Sequence, residues 1–421
     1  MKPTTIQSRR EFIRSLSFYT GSSLFFSSLP WISRAIGNTE SISSDKIKIG
    51  IIGTGSRGRC LLQHLLDNPS VEISTICDIY NPSIDKALQL IPGQPEVYKN
   101  YKEMLRKAKL DGVVIATPLH WHAPMTIEAL TNGIHVFCEK SMAKTMRECL
   151  NMYEAHKKTG KILQLGHQRL FDIRYIQGIE KIRKGYIGHV TLIRAYWHRN
   201  SDWRRPVPSP HLDRLINWRL YHDYSGGLMT ELGVHQIHIA NWVLQELPEY
   251  AIGSGNINYW KDKRETHDNV AVVYRYPSGV HCIYDAVLSN RFYGLEEQVM
   301  GNRGTIEFES GKIYPENPPP APGILQLIND WEKKVFNAIP VGGASWIPET
   351  AIKNKGDFLC NQYPVPDCTK LQMETFVESI RTGRPIPELA EHGYNAGIAA
   401  LMGFQATMQK EPVIWPSEFK L

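Results

Sequence analysis

The sequence predicts an α/β protein of two domains: an N-terminal doubly wound parallel sheet, then a C-terminal α+β domain on an open, mostly antiparallel sheet. Three observations carry this expectation. Short β-branched runs alternate with helix-length segments from Lys46 to about Leu165, as parallel strands joined by crossover helices do. A glycine-rich turn, Gly53-Thr54-Gly55-Ser56-Arg57-Gly58, directly follows the first run. Beyond Leu165 the runs change texture, apolar and polar residues alternating with period two.

Taken in order, 47–52 reads as an apolar strand, 53–58 as the turn and 59–68 as a helix. Segments 71–78, 113–117 and 135–139 read as three more strands, with helical stretches such as 123–132 between them. In the second domain 190–198, 251–260, 269–276, 280–288 and 296–308 alternate like strands, with a helix over 228–244 among them. The stretch 315–322 is proline-rich and extended, and helices over 371–381 and 393–408 close the chain. The domains expected are 1–40 (leader and linker), 41–165 (nucleotide-binding) and 166–421, which carries the insert 315–366. No internal repeat is present.

Composition excludes several classes. At 421 residues, 42% hydrophobic and 21% charged, the chain is an ordinary globular one with room for two cores. Its net charge of +6 is partly owed to Lys2, Arg9, Arg10, Arg14 and Arg34, set against Glu11 and Glu40. No basic stripe remains that would suit nucleic acid. No internal stretch approaches the ~20 apolar residues of a membrane span. Seven cysteines include no C-x-x-C pair; Cys360 and Cys368 stand in a Pro-rich loop and can bridge in an oxidising compartment.

The first forty residues have their own logic. Ser8-Arg9-Arg10-Glu11-Phe12-Ile13-Arg14 precedes a mostly uncharged stretch, 15–32, and then Ser33-Arg34-Ala35. Charged region, apolar region and small-residue cleavage site read as a twin-arginine export segment. Ser, Thr, Gly and Pro interrupt the apolar run, which argues against an anchoring helix. The expectation is a periplasmic or otherwise exported protein, folded around its ligand before export.

The glycine turn passes three contextual tests for a dinucleotide site: it follows a strand, opens a helix, and has Asp78 at the end of the next strand. In a Rossmann domain Gly53 permits the tight turn, Gly55 lets a pyrophosphate approach and Gly58 lets helix and strand pack. The helix N-terminus, with Ser56 and Arg57, offers amide donors to phosphate. Asp78 would bind the adenosine ribose hydroxyls and repel a 2′-phosphate, so the cofactor expected is NAD.

Three further segments complete a pattern: Ala116-Thr117-Pro118-Leu119-His120-Trp121-His122, Glu139-Lys140, and Gly226-Gly227-Leu228-Met229-Thr230-Glu231-Leu232-Gly233-Val234-His235. Together with the turn they resemble the Gfo/Idh/MocA family of nicotinamide-dependent sugar and cyclitol oxidoreductases, from about Lys46 to the C-terminus apart from 315–366. The resemblance implies that Thr117, Pro118 and His122 lie along the cofactor near its nicotinamide. It implies that Glu139-Lys140 corresponds to the family's Glu-Lys-Pro, with Lys140 reaching the nicotinamide ribose and the substrate; Ser141 stands where the proline would. It also implies that Glu231 to His235 corresponds to the family's D-x-G-x-H, and that the chain forms a homo-oligomer through the second sheet.

The chemistry explains the grouping. Moving a hydride from a sugar carbon requires the hydroxyl proton to leave as well. His235 is the candidate base, and Lys140 the cation that stabilises the developing alkoxide. Glu231, one helical turn earlier, can orient His235 or hold a sugar hydroxyl. Glu231, His235 and His238 share a helical face, with His198 and His222 near in sequence, so metal binding is an alternative; without a strict zinc motif, a polyhydroxylated ligand is the reading taken and no metal is assigned. Trp197, Trp203, Trp218, Tyr221 and Tyr224 cluster with Arg204, Arg205 and Arg219, as either a sugar-stacking surface or else packing or an oligomer interface. Arg169, in Gly166-His167-Gln168-Arg169 at the domain junction, joins Trp203 and His238 as the substrate-binding candidates.

These expectations combine into an exported oxidoreductase acting on a sugar or glycoside hydroxyl, with NAD tightly bound and recycled in place. The alternatives are a redox-neutral, NAD-dependent glycosidase working by oxidation and elimination, as some relatives of the family do, and a non-catalytic NAD-containing sugar-binding protein.

Overall fold

The computed structural model describes residues 46–316, 355–360 and 364–421, together with Leu327, Asp330, Trp331 and Lys334. The export segment expected at 1–40 and most of the insert 315–366 lie outside the described residues. Six parallel strands form the first sheet: β1 (Ile47–Ile52), β2 (Val71–Cys77), β3 (Glu96–Tyr98), β4 (Gly112–Ile115), β5 (His135–Cys138) and β6 (Leu163–Leu165). Their order, β3-β2-β1-β4-β5-β6, places the reversal of winding between β1 and β4, where ligands bind in such sheets. Four of the six, β1, β2, β4 and β5, lie where the sequence predicts strands. β3 and β6 have three residues each, too few to display a period.

The crossover helices are α1 (Ser56–Leu66), α2 (Asn81–Leu88), α3 (Tyr101–Lys107), α4 (His122–Thr131) and α5 (Met146–Thr159). Leu61, Leu62 and Leu65 of α1 pack on Ile49 and Ile51 of β1, and all four residues of β4 are buried. Strands covered on both faces need such unbroken apolar runs. Thr145 and Glu148 close a capping box at the start of α5.

The second sheet has nine strands: β7 (Val190–His198), β8 (Tyr250–Asn256), β9 (Asn269–Arg275), β10 (His281–Val287), β11 (Leu295–Gly301), β12 (Gly304–Glu307), β13 (Lys312–Pro315), β14 (Asp357–Phe358) and β15 (Val413–Ile414). Their order is β14-β13-β12-β11-β7-β10-β9-β8-β15. The sheet is mixed, because β7 and β10 run parallel while the other pairings are antiparallel. The single strand expected over 296–308 is two, β11 and β12, folded at Asn302 and Arg303 between Gly301 and its partner Gly304.

One face of this sheet is covered. Val270, Val272 and Tyr274 of β9 and Cys282, Tyr284 and Ala286 of β10 point inward towards α7 (Val234–Leu244) and α9 (Leu389–Gln409); α6 (Ile173–Arg183) packs on α7. Every residue from Val234 to Val243 is buried, as a helix enclosed on all sides requires. The Tyr274 hydroxyl donates to the Ala399 carbonyl at 3.0 Å, so it enters the core with its polar group satisfied.

One helix crosses the domain division at 165/166. Helix α8 (Cys368–Thr382) returns to the first domain, where Met373, Phe376 and Val377 complete the core over β1 and α1. Gln372 donates to the Leu165 carbonyl and Gln164 to the Gln372 carbonyl, both at 3.0 Å. The two domains are thus stitched together twice by the chain. No disulfide joins Cys360 to Cys368. Among the described residues no helix is long and apolar enough to cross a membrane.

Candidate cofactor and catalytic cleft

A cleft of about 1180 Å³ runs along the carboxyl ends of β1, β2, β4 and β5, with second-domain residues between Arg205 and His235 forming its far wall. Gly53, Gly55, Ser56, Arg57 and Asp78 line one end, and Lys140, Glu231 and His235 the other. Thr117, Pro118, His122 and Glu139 lie between. The residues expected to hold cofactor and those expected to act on substrate therefore share one cavity.

The glycine turn fits a dinucleotide by its own geometry. Gly53 has φ +90°, and a Cβ on Gly58 would stand 1.9 Å from the Gly53 carbonyl oxygen, so packing alone forbids larger residues at both. Gly55 differs, because a Cβ there would meet nothing within 4 Å. Its openness leaves room over the N-terminus of α1, whose first amides no side chain caps, which is the arrangement that receives phosphate. Asp78 accepts from the Thr54 amide at 2.7 Å and hydroxyl at 3.0 Å, and from the Tyr80 amide at 2.9 Å. The carboxylate is thereby fixed at the end of β2, where ribose hydroxyls would meet it.

A pair of substitutions separates packing from binding. Gly58→Ala is expected to lower the melting temperature of the nucleotide-free protein by several degrees, because α1 must shift off β1. Gly55→Val should leave that temperature within about a degree while weakening NAD binding at least tenfold. Thermal unfolding and nucleotide titration of the two variants measure both; equal behaviour in the two assays would overturn the distinction.

Further along, the ring nitrogens of His122 stand 2.8 Å from the Ser141 carbonyl oxygen and 3.0 Å from that of Thr117. His122 therefore ties the Thr117-Pro118 loop to the Lys140 loop instead of facing the cavity with a free nitrogen. Burial pushes its pKa down, with the two carbonyls opposing. The Lys140–Ser141 peptide is cis. Arg57 donates from Nε to Glu139 at 2.8 Å, bracing the loop that presents Lys140.

The catalytic end is built on a widened turn. Met229–Gly233 is a π-helical turn leading into α7, a form that concentrates at functional sites. Lys140 Nζ donates to the Glu231 carbonyl at 2.7 Å. The Glu231 carboxylate accepts from Arg219 Nε at 2.8 Å and from the Ser225 hydroxyl at 3.0 Å. Burial works against that carboxylate, but Arg219 and Lys140 outweigh it and hold its pKa below the usual value. Burial lowers the Lys140 pKa, which Glu231 and Glu139 partly restore. Burial, with the charges of Lys140 and Arg169 added, holds the His235 pKa well below 6.5. At neutral pH His235 is an uncharged acceptor beside the Lys140 amine. That is a base and an electrostatic stabiliser in one place.

Three of the residues expected to bind substrate lie elsewhere. Arg169 does not line the cleft; its buried guanidinium donates to Glu297 at 2.5 Å and Glu309 at 2.8 Å. Nor does His238, whose ring lies tilted against His167 with centroids 4.5 Å apart and meets His392 with nitrogens 3.3 Å apart. Trp203 sits at φ +61° and packs against the second-domain core. His198 is paired with Asp285, and among the described residues no three or more His, Cys, Asp or Glu side chains group as metal ligands do. In their place the cavity brings together His120, Trp121, Trp218, Arg219 and Tyr224. The His120 and Tyr224 rings lie 4.8 Å apart, and burial pushes the His120 pKa down to about 4. Trp218, Arg219 and Tyr224 of this surface belong to the aromatic and arginine cluster seen in the sequence.

Comparison with known proteins agrees with this geometry. Residues 47–167 match the model of the oxidoreductase family with an NAD-binding Rossmann fold, and 176–307 match the GFO/IDH/MocA C-terminal domain. A glycosyl hydrolase family 109 protein of Shewanella baltica (strain OS195) is 29% identical over 186 residues, a stretch covering 42% of this chain and 40% of the relative. Among solved structures, scyllo-inositol dehydrogenase from Lactobacillus casei with bound NAD(H) and scyllo-inositol superposes at TM-score 0.65, with 19% identity over 88% of this chain and 99% of that one. Aldose-aldose oxidoreductase from Caulobacter crescentus, complexed with glycerol, gives 0.64 at 19% identity over the same shares. These two likenesses establish the fold.

Proposed function

The chain belongs to the Gfo/Idh/MocA family of NAD-dependent oxidoreductases, and we propose from this that it oxidises a ring hydroxyl of a sugar or glycoside and keeps its cofactor bound throughout the cycle. The observation that carries the reading is the meeting of a neutral His235 and Lys140 in the cavity that holds the glycine turn. The glycine turn and Asp78 would hold NAD, which would supply the acceptor for the hydride of the carbinol carbon. His235 takes the hydroxyl proton, and the Lys140 ammonium lowers the energy of the alkoxide formed as that proton leaves. Glu231, held by Arg219 and Ser225, fixes Lys140 through its backbone carbonyl. Trp121, Tyr224 and neutral His120 offer ring faces and edges suited to a sugar.

A second reading has specific support. The match to glycosyl hydrolase family 109 proteins suits glycoside cleavage without net oxidation. Transient oxidation of a ring hydroxyl to a ketone acidifies the neighbouring C–H; loss of that proton expels the glycosidic group. Water then adds to the resulting double bond and the ketone is reduced again, so the sum is hydrolysis. Export by the twin-arginine segment, which belongs to the same proposal, favours such closed cycles because a nucleotide cannot be replenished outside the cytoplasm. A homo-oligomer through the second face of the nine-stranded sheet is part of the reading, and the mass in solution measures it.

The deciding experiment incubates the purified protein with a panel of aldoses, cyclitols and aryl glycosides in D₂O, following NADH absorbance and product. Cleavage without net NADH, with deuterium beside the oxidised carbon, establishes the glycosidase cycle. Oxidation of one sugar coupled to reduction of another establishes a transhydrogenase. Absence of either reaction across the panel, in protein shown to carry NAD, would sink the catalytic reading in favour of a binding protein.

A further inference from the structure

Arg205 is an unused cation in a crowded positive wall. It belongs to the second domain, yet it lines the cleft opposite Gly55 and Ser56. It also lines an adjoining recess of about 200 Å³, shared with Arg59 of α1 and with Ser83 and Lys86 of α2. Its neighbours in the chain are committed elsewhere: Arg204 pairs with Asp213 and Asp262. The backbone of Arg205 is pinned, its amide donating to Asn217 Oδ1 at 2.7 Å and its carbonyl accepting from Asn217 Nδ2 at 3.0 Å. Asn217 is itself buried and donates to Asp213 at 2.8 Å.

The guanidinium, by contrast, has no carboxylate among the described residues; burial and the like charges of Arg219 and Arg59 lower its pKa. Holding this exposed guanidinium near Arg59 and the Glu231-paired Arg219 gains no counter-charge from the chain itself. It becomes favourable when an anion lies between them. The uncapped amides of α1 face the same space, and the anion that a dinucleotide brings to such a turn is its diphosphate.

We propose that Arg205 is a clamp: it reaches from the second domain to the diphosphate of NAD on the N-terminus of α1 and sets how slowly the nucleotide leaves. The clamp rests on the reading that the cofactor stays bound through turnover, and it supplies that reading with a device. A nucleotide gripped by both domains can leave only when the 205–219 wall moves or the ion contact breaks. The same wall carries Trp218 and Arg219 to the catalytic end, so cofactor retention and substrate-site assembly use one segment.

The test measures NADH release by stopped-flow fluorescence, with excess NAD⁺ as the trap, and bound nucleotide per chain after gel filtration. Arg205→Ala should release NADH roughly tenfold to a hundredfold faster than the natural protein, with Arg205→Lys between the two. Release from the natural protein should quicken with ionic strength, and that dependence should weaken in Arg205→Ala. Equal release rates in all three proteins overturn the clamp. So does a variant that loses affinity for NADP(H) alone, since Arg205 would then face the ribose 2′ position. If the natural protein itself loses nucleotide on gel filtration, the closed-cycle reading fails, while the ratio of the release rates still decides the clamp.

Discussion

Lys140→Ala is expected to lower kcat/KM by about a hundredfold to a thousandfold, the usual loss when one preorganised charge donor is removed. His235→Ala should cost about a hundredfold to ten-thousandfold, the range for a positioned general base. The double variant should lose little more than the worse single one, because the ammonium helps only when a base removes the proton. The pH profile tests the roles separately. With the His235 pKa well below 6.5, the base stays uncharged as pH falls through 6.5, so the acid limb must lie below that value. With the Lys140 pKa lowered from 10.5, the ammonium is lost early as pH rises, and the alkaline limb must lie below 10.5. Lys140→Ala should abolish the alkaline limb and keep the acid one. An unchanged profile in that variant would remove Lys140 from the mechanism.

What the sequence made legible is what short-range chemistry determines. The Gly53–Gly58 turn, Asp78 and the Glu139-Lys140 pair stand at strand ends, and a strand end in a parallel sheet faces the cleft wherever the rest of the chain goes. His235 and Glu231 were legible as one helical face. The capture of the Glu231 carboxylate by Arg219 was not, because the π-turn and the loop before it fold back on themselves. The expected substrate residues that lie outside the cleft share a physical cause. Arg169 looked like a ligand-binding cation because its partners, Glu297 and Glu309, come from β11 and the residues after β12, 128 and 140 positions away. His238 shares the face of His235 by spacing, but His167 and His392 from other elements close around it. Spacing along one element says which way a side chain points and nothing about what arrives from elsewhere.

Removing that distant pairing should have the largest effect on stability. Arg169→Met is expected to destabilise the protein by about 3–5 kcal/mol, the loss typical when one partner of a buried ion pair is deleted. Glu297 is fully buried, and the Tyr175 hydroxyl, which lies 2.7 Å from Glu297 and 2.8 Å from Glu309, cannot neutralise two carboxylates. Burial already raises the Glu297 pKa, with Arg169 opposing; without the guanidinium it rises further. A carboxyl that binds its proton more tightly folded than unfolded gains stability as pH falls through its folded pKa. The deficit of Arg169→Met, measured by urea unfolding, should therefore be larger at pH 8 than at pH 5. Adding Glu297→Gln should recover part of it, since a neutral amide needs no counter-charge. A structural bridge and a sugar-binding cation predict opposite patterns. A variant that unfolds like the natural protein but binds substrate poorly would return Arg169 to the site; one that unfolds early, with a pH-dependent deficit, places it in the joint between the domains.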